Sequence, residues 1–159
     1  VVAVSGSPLV PEPAASNGLV IERKYFTPDG QPADPANVKQ NTRLVAVLSV
    51  MKPAGAPDNG NYLLVDRLPA GFEIENPSLV SSGSTADLAW LSDTSYAPYT
   101  EFRDDRFVAS FTNSTAKLAY MVRAVAPGTY VHPGATVEDM YRPEVSARGG
   151  SGYLTVTGP

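Results

Sequence analysis

The chain has 159 residues, 43% of them hydrophobic, with 12 basic and 16 acidic side chains and a net charge of −4. That is enough apolar material for one packed domain, and no cluster of positive charge suits a nucleic-acid backbone. There is no cysteine and a single histidine, which excludes disulfides, thiolate nucleophiles and cysteine-based zinc sites and leaves a transition-metal centre short of ligands.

Residues 1–17 lack a basic leader and contain most of the proline-rich stretch PLVPEPAASNG. They are expected to form an extended lead-in from an upstream domain, with the folded unit over residues 18–159. No apolar run approaches the roughly 18 residues of a membrane span. From there on, glycine and proline recur at short intervals, and the segments between them are rich in Val, Tyr, Phe and Thr. This pattern predicts an all-β fold.

Residues 19–26 form the first expected strand, followed by a loop with Asp29 and Gly30 as its turn pair. The strongest strand is TRLVAVLSVMK, residues 42–52. Leu44, Ala46, Leu48 and Val50 share one face and Val45, Val47 and Met51 the other, so both faces are expected to be covered. Strands are expected at residues 62–68 and 72–75. Residues 81–99 are the least regular stretch: TADLAWLSD allows one helical turn, and Trp90 reads as a plug beneath its loop. A strand is expected over residues 101–111 and another over 117–125, where Leu118, Tyr120 and Val122 lie together. A short edge piece limited by Pro133 follows, and residues 137–141 and 153–157 close the pattern, with Pro143 expected to stop regular pairing just after the first of them. Roughly seven or more strands separated by turn signals predict an antiparallel β-sandwich.

Chemistry is sparse. His132 lies between Val131 and Pro133 with no nucleophile elbow in the chain, and reads as a structural or surface residue, most simply in a turn. The paired acids Asp104 with Asp105 and Glu138 with Asp139 would point to opposite faces of a strand, so neither makes a general acid/base dyad. No calcium-loop spacing occurs. In FRDDRF, Arg103 and Arg106 flank two aspartates and read as ion-pair partners of neighbouring strands or loops. No catalytic residue, metal site or cofactor is expected. One stretch resists a bland reading. In VEDMYRPEVSARG, Met140 and Tyr141 sit among charges. They either finish a strand and pack inward, or are presented to a partner.

DRLPAGFEIENP, EFRDDRFVASF, LAYMVRAVAPGTYVHPGATVEDMYRPEVSARG and GYLTVTGP, in this order and spacing, closely resemble the C-terminal macroglobulin-like domain (MG10) of bacterial α2-macroglobulins. IERKYFTPDGQP and VKQNTRLVAVLSV fit the start of the same domain. The resemblance implies a macroglobulin-like sandwich within a large periplasmic protein, or one held at the inner membrane through its parent chain. Such proteins trap proteases, in many members through an internal thioester in a separate domain. This chain has no cysteine, so the thioester domain would be its partner, with target proteases reached only through the parent. The resemblance further implies that Met140 and Tyr141 cover that thioester, with Glu138, Asp139 and Arg142 fixing their direction. A thioester hydrolyses and needs a dry pocket, which a thioether and an aromatic ring can supply. In a parent without a thioester, the same surface would be an interdomain or partner contact. An adhesin-like docking sandwich is a second class of function, and an enzyme a distant third.

Overall fold

The computed structural model describes residues 10–54, 59–75, 88 and 90–159. Every regular element among them is a strand: β1 (Ala15–Asn17), β2 (Val20–Phe26), β3 (Pro32–Ala33), β4 (Asn37–Lys39), β5 (Arg43–Met51), β6 (Asn59–Arg67) and β7 (Phe72–Ile74) in the first half. The second half contributes β8 (Tyr99–Arg103), β9 (Arg106–Asn113), β10 (Ala116–Ala124), β11 (Gly128–His132), β12 (Thr136–Asp139), β13 (Arg142–Arg148) and β14 (Gly152–Thr157). A six-stranded sheet runs β1-β13-β12-β6-β9-β8 and a five-stranded sheet β3-β2-β5-β10-β7, with a small third sheet β11-β14-β4 beside them. Pairing is antiparallel except for β14 with β4. This is the expected all-β sandwich.

The core follows from period-two alternation. On β5, Leu44, Ala46, Leu48 and Val50 point into the main cluster, where they meet Tyr62 and Leu64 of β6 and Phe107, Ala109 and Phe111 of β9. β10 lies beside β5 in register, Leu118 opposite Leu48 and Tyr120 opposite Ala46. The Phe107 and Tyr120 rings stack with centroids 4.8 Å apart and join the two large sheets. The other face of β5 is covered at Val45 and Val47, whereas Met51 at the strand end is exposed. Val45 and Val47 join Leu88, Leu91, Ala119 and Met121 in a second cluster, with Phe26 and Trp90 packed on it. Trp90 donates its Nε1–H to the Pro28 carbonyl at 2.8 Å. Its ring lies so close to Gly30 (φ 87°) that a Cβ there would come within 2.6 Å of it, which explains glycine at this turn.

Two expectations change. The stretch 101–111 is a hairpin, not a strand, because Asp104 and Asp105 turn the chain between β8 and β9. Strand pairing does not end at Pro143, since β13 carries on to Arg148. The helical turn proposed in TADLAWLSD falls partly on residues 85–87 and 89, outside the described residues; no helix occurs in its described part. Within the stretch read as a lead-in, β1 pairs with β13, and the Glu12 N–H donates to Ser151 Oγ at 2.6 Å.

Candidate functional site

Met140 and Tyr141 form the two-residue tip between β12 and β13, with Asp139 and Arg142 paired across its base. Their side chains are 49% and 80% exposed, so the inward-packing alternative does not hold. Neither residue has a positive φ, so the tip does not use the glycine-dependent turns common in short hairpins. Its shape comes from the residues below it.

Asp139 is the anchor. It is 1% exposed at the end of β12, opposite Tyr62 of β6. Its Oδ1 accepts the Tyr141 N–H at 3.0 Å, and its Oδ2 accepts from Arg142 Nε and Nη2 at 2.9 and 2.6 Å. The Met140 N–H donates to the Asn61 carbonyl at 2.7 Å. Burial alone would raise the Asp139 pKa, but the Tyr141 amide and the Arg142 guanidinium outweigh it and hold the carboxyl below its ordinary range. Gly60 makes room for this arrangement: a Cβ there would fall 2.6 Å from the Tyr62 ring and 2.7 Å from Asp139 Oδ2.

Next to the tip the register breaks. Asp139 pairs with Arg142, yet the preceding Glu138 pairs with Ser146. Residues 143–145 therefore have no counterparts on β12. Pro143, which lacks an N–H, lies in this bulge. The proline does disturb pairing, but as a bulge within a hairpin. Glu138 itself points to the outer face of the six-stranded sheet, away from the Asp139 carboxylate, so of the expected supporting residues only Asp139 and Arg142 bond to each other or to the tip backbone.

A second polar constellation was not visible as a unit in the sequence. Arg23 of β2, only 10% exposed at its side chain, donates to Asp66 of β6, which is fully buried. Arg23 also donates to the Pro133 carbonyl at 2.7 Å, and the Tyr120 hydroxyl donates to Asp66 Oδ2 at 2.7 Å. Burial pushes the Asp66 carboxyl up despite these donors, while for Arg23 burial works downward and Asp66 more than offsets it. The Arg23 direction governs near neutrality, because a guanidinium this buried keeps its charge and needs a carboxylate beside it.

Of the readings of His132 the structural one holds: it is buried at the end of β11, neither in a turn nor on the surface, and its Nε2 lies 2.9 Å from the Tyr25 hydroxyl. Burial and, secondarily, the Arg23 charge lower its pKa from 6.5 to about 3. The unfolded chain therefore takes up a proton first as the pH falls. The stabilising effect is complete above the unfolded value and is lost progressively toward the folded one. Between pH 7 and pH 5 the loss is expected to be about 2 kcal/mol, measured as a drop in urea-unfolding free energy. His132→Gln should flatten this slope, and the paired comparison separates it from Asp66, whose raised pKa contributes with the opposite sign. An unchanged slope in the variant would show that His132 is not its source.

The remaining charged motif is local. Arg103 pairs with Glu101 at 2.7 Å and Arg106 with Asp105 at 2.6 Å, all within the β8–β9 hairpin and open to solvent. These contacts lie within one hairpin, where partners on neighbouring strands or loops were expected. Among the described residues no group of three or more His, Cys, Asp or Glu is placed to hold a metal ion, and no helix is long and apolar enough to cross a membrane. The most distinctive feature is thus a rigidly anchored tip presenting a thioether and a phenol outward.

Residues 18–144 match the family described as the bacterial alpha-2-macroglobulin MG10 domain. The alpha-2-macroglobulin of Xylella fastidiosa strain 9a5c is 39% identical over 164 residues, covering 97% of this chain and 10% of that protein. That of Escherichia coli K12 is 34% identical over 166 residues, covering 98% of this chain and 10% of the relative. The crystal structure of Salmonella alpha-2-macroglobulin reacted with methylamine superposes with a TM-score of 0.78 at 37% identity, over 96% of this chain and 10% of that one. Trypsin-activated alpha-2-macroglobulin from E. coli gives 0.76 at 34% identity, over 91% of this chain and 11% of that one. The chain thus spans about a tenth of the length of these relatives.

Proposed function

Since the chain belongs to the bacterial alpha-2-macroglobulin MG10 domain family, we propose that it is a non-catalytic docking domain of a protease-inhibiting macroglobulin. In this reading the tip formed by Met140 and Tyr141 covers the thioester of a neighbouring domain where the parent has one. In a parent without a thioester, the tip is an interdomain contact. The parent acts on proteases in the periplasm, free or held at the inner membrane. The observation that carries the reading is the tip itself: two exposed side chains on a backbone fixed by Asp139, Arg142 and Asn61. A loose loop would not hold a ring over a reactive bond, whereas this one holds its direction before any partner arrives. That a Salmonella relative was reacted with methylamine is consistent with an amine-reactive group in that protein.

The test uses the full parent chain. Tyr141→Ala should leave folding intact, because the ring is mostly in water. In a thioester-bearing parent it should speed methylamine consumption about tenfold or more, roughly the loss of 1.4 kcal/mol of protection, with Met140→Ala adding to the effect. An unchanged consumption rate in the double variant would end the shielding reading. Where the parent has no thioester, the same variants should weaken association of the isolated chain with the remainder of the parent.

A further inference from the structure

The two large sheets treat their outer faces differently. The chain covers the outer face of the five-stranded sheet itself, with Leu88, Leu91, Phe26 and Trp90 packing over Val45 and Val47. On the six-stranded sheet, the outward positions of the central strands carry Leu63 and Val65 of β6 and Val108 of β9. All three are partly exposed and belong to neither buried cluster. Val65 lies directly opposite Val108, and Leu63 opposite Ser110. Continuing outward, Ser110 pairs with the exposed Tyr99 of the edge strand β8. The solvated face of an antiparallel sheet ordinarily carries polar side chains at such positions. Ser110 and Thr136 border this apolar group together with the charged Glu101 and Glu138 opposite it and the Arg67 and Arg106 pair at its end, so an apolar centre lies within a polar and charged rim, the make-up of an interface.

This face is continuous with the tip. Along β12 and β6 the paired positions run from Thr136 with Val65, through Glu138 with Leu63, to Asp139 with Tyr62. The next step is the Met140 N–H on the Asn61 carbonyl. A body seated on the tip and leaning along β12 meets Leu63 first and Val65 next. The relatives are about ten times the length of this chain, so such a body exists within one polypeptide. We propose that the outward face of the six-stranded sheet, centred on Leu63, Val65 and Val108, is a second part of the docking surface and receives the same neighbouring domain of the parent as the tip. The inference rests on the tip reading for its occupant, but it adds a contact area that two side chains cannot supply.

Hydroxyl-radical footprinting with mass-spectrometric readout, applied to the 159-residue chain and to the full parent, tests both parts separately. Labelling of Leu63, Val65 and Val108 is expected to fall at least threefold in the parent. Val131, exposed on the third sheet, serves as the reference. Equal labelling of the three residues in both proteins would overturn the proposal. Protection of Met140 and Tyr141 without protection of the face would also overturn it, while leaving the tip reading in place. Protection of the face without the tip would leave the face as an interface but sink the shared occupant and the shielding reading. If the isolated chain instead protects the face in a concentration-dependent way that Val65→Lys abolishes, the occupant is a second copy and the proposal fails. Val65→Lys in the parent should restore labelling of Leu63 and Val108 without altering the melting temperature of the isolated chain, since Val65 faces away from the core.

Discussion

Arg23→Ala is expected to destabilise the domain by about 3–5 kcal/mol, the range for removing one partner of a buried ion pair. The cost arises because Asp66 is left fully buried among Phe107, Tyr120 and Leu64 with only the Tyr120 hydroxyl to accept from. The Pro133 carbonyl loses its donor as well. The pair is less favourable than this figure suggests, since taking both charges out of water offsets much of their attraction. Replacing both partners with apolar residues of similar volume, Arg23→Met with Asp66→Leu, should therefore recover most of the loss. Chemical denaturation of the single and double variants decides the matter. A single variant within about 0.5 kcal/mol of the parent sequence, the span of neutral surface changes, would mean that the pair is solvated.

The second large effect is expected at Leu48→Ala, about 2–5 kcal/mol. Leu48 is completely buried on β5, between Arg23 of β2 and Leu118 of β10 in register. Strands on both sides limit how far the cavity can close, which favours the upper part of the range. Tyr120→Phe, on the next strand, removes only a hydroxyl and should cost about 1–3 kcal/mol, the desolvation cost of leaving Asp66 short of one donor. Near-zero shifts at both sites would show that the centre of the sandwich lies elsewhere.

β5 and β10 were legible in the sequence because their apolar residues recur at every second position and sometimes at every position, which marks strands covered on both faces. The hairpin of β8 and β9 was missed because two aspartates between arginines carry no glycine or proline to signal a turn, and alternation survives on either side. β13 was missed because Pro143 looked like a stop. In a strand that proline would leave a pairing unmade, but the bulge at residues 143–145 needs no pairing there. The buried pair had a signal that could have found it. Arg23 stands in phase with Ile21 and Tyr25, and Asp66 with Tyr62 and Leu64, so each strand places one charge, of opposite sign, on its core face. His132 had no such signal. Its burial depends on its contact with Tyr25 of β2, a strand of another sheet, which is a matter of topology and not of local pattern.

The clamp beneath the hairpin tip separates what fixes the backbone from what faces outward. The turn depends on Asp139, Arg142, Asn61 and the space above Gly60, none of which is at the tip. Met140 and Tyr141 contribute no special φ, and of their groups only the two backbone N–H donors enter the clamp. The two positions are therefore close to free variables. Their side chains can be exchanged to suit whatever lies opposite, while stability is borne by neighbours that never touch it. Natural drift or deliberate redesign can retune the contact one residue at a time without passing through an unfolded intermediate sequence.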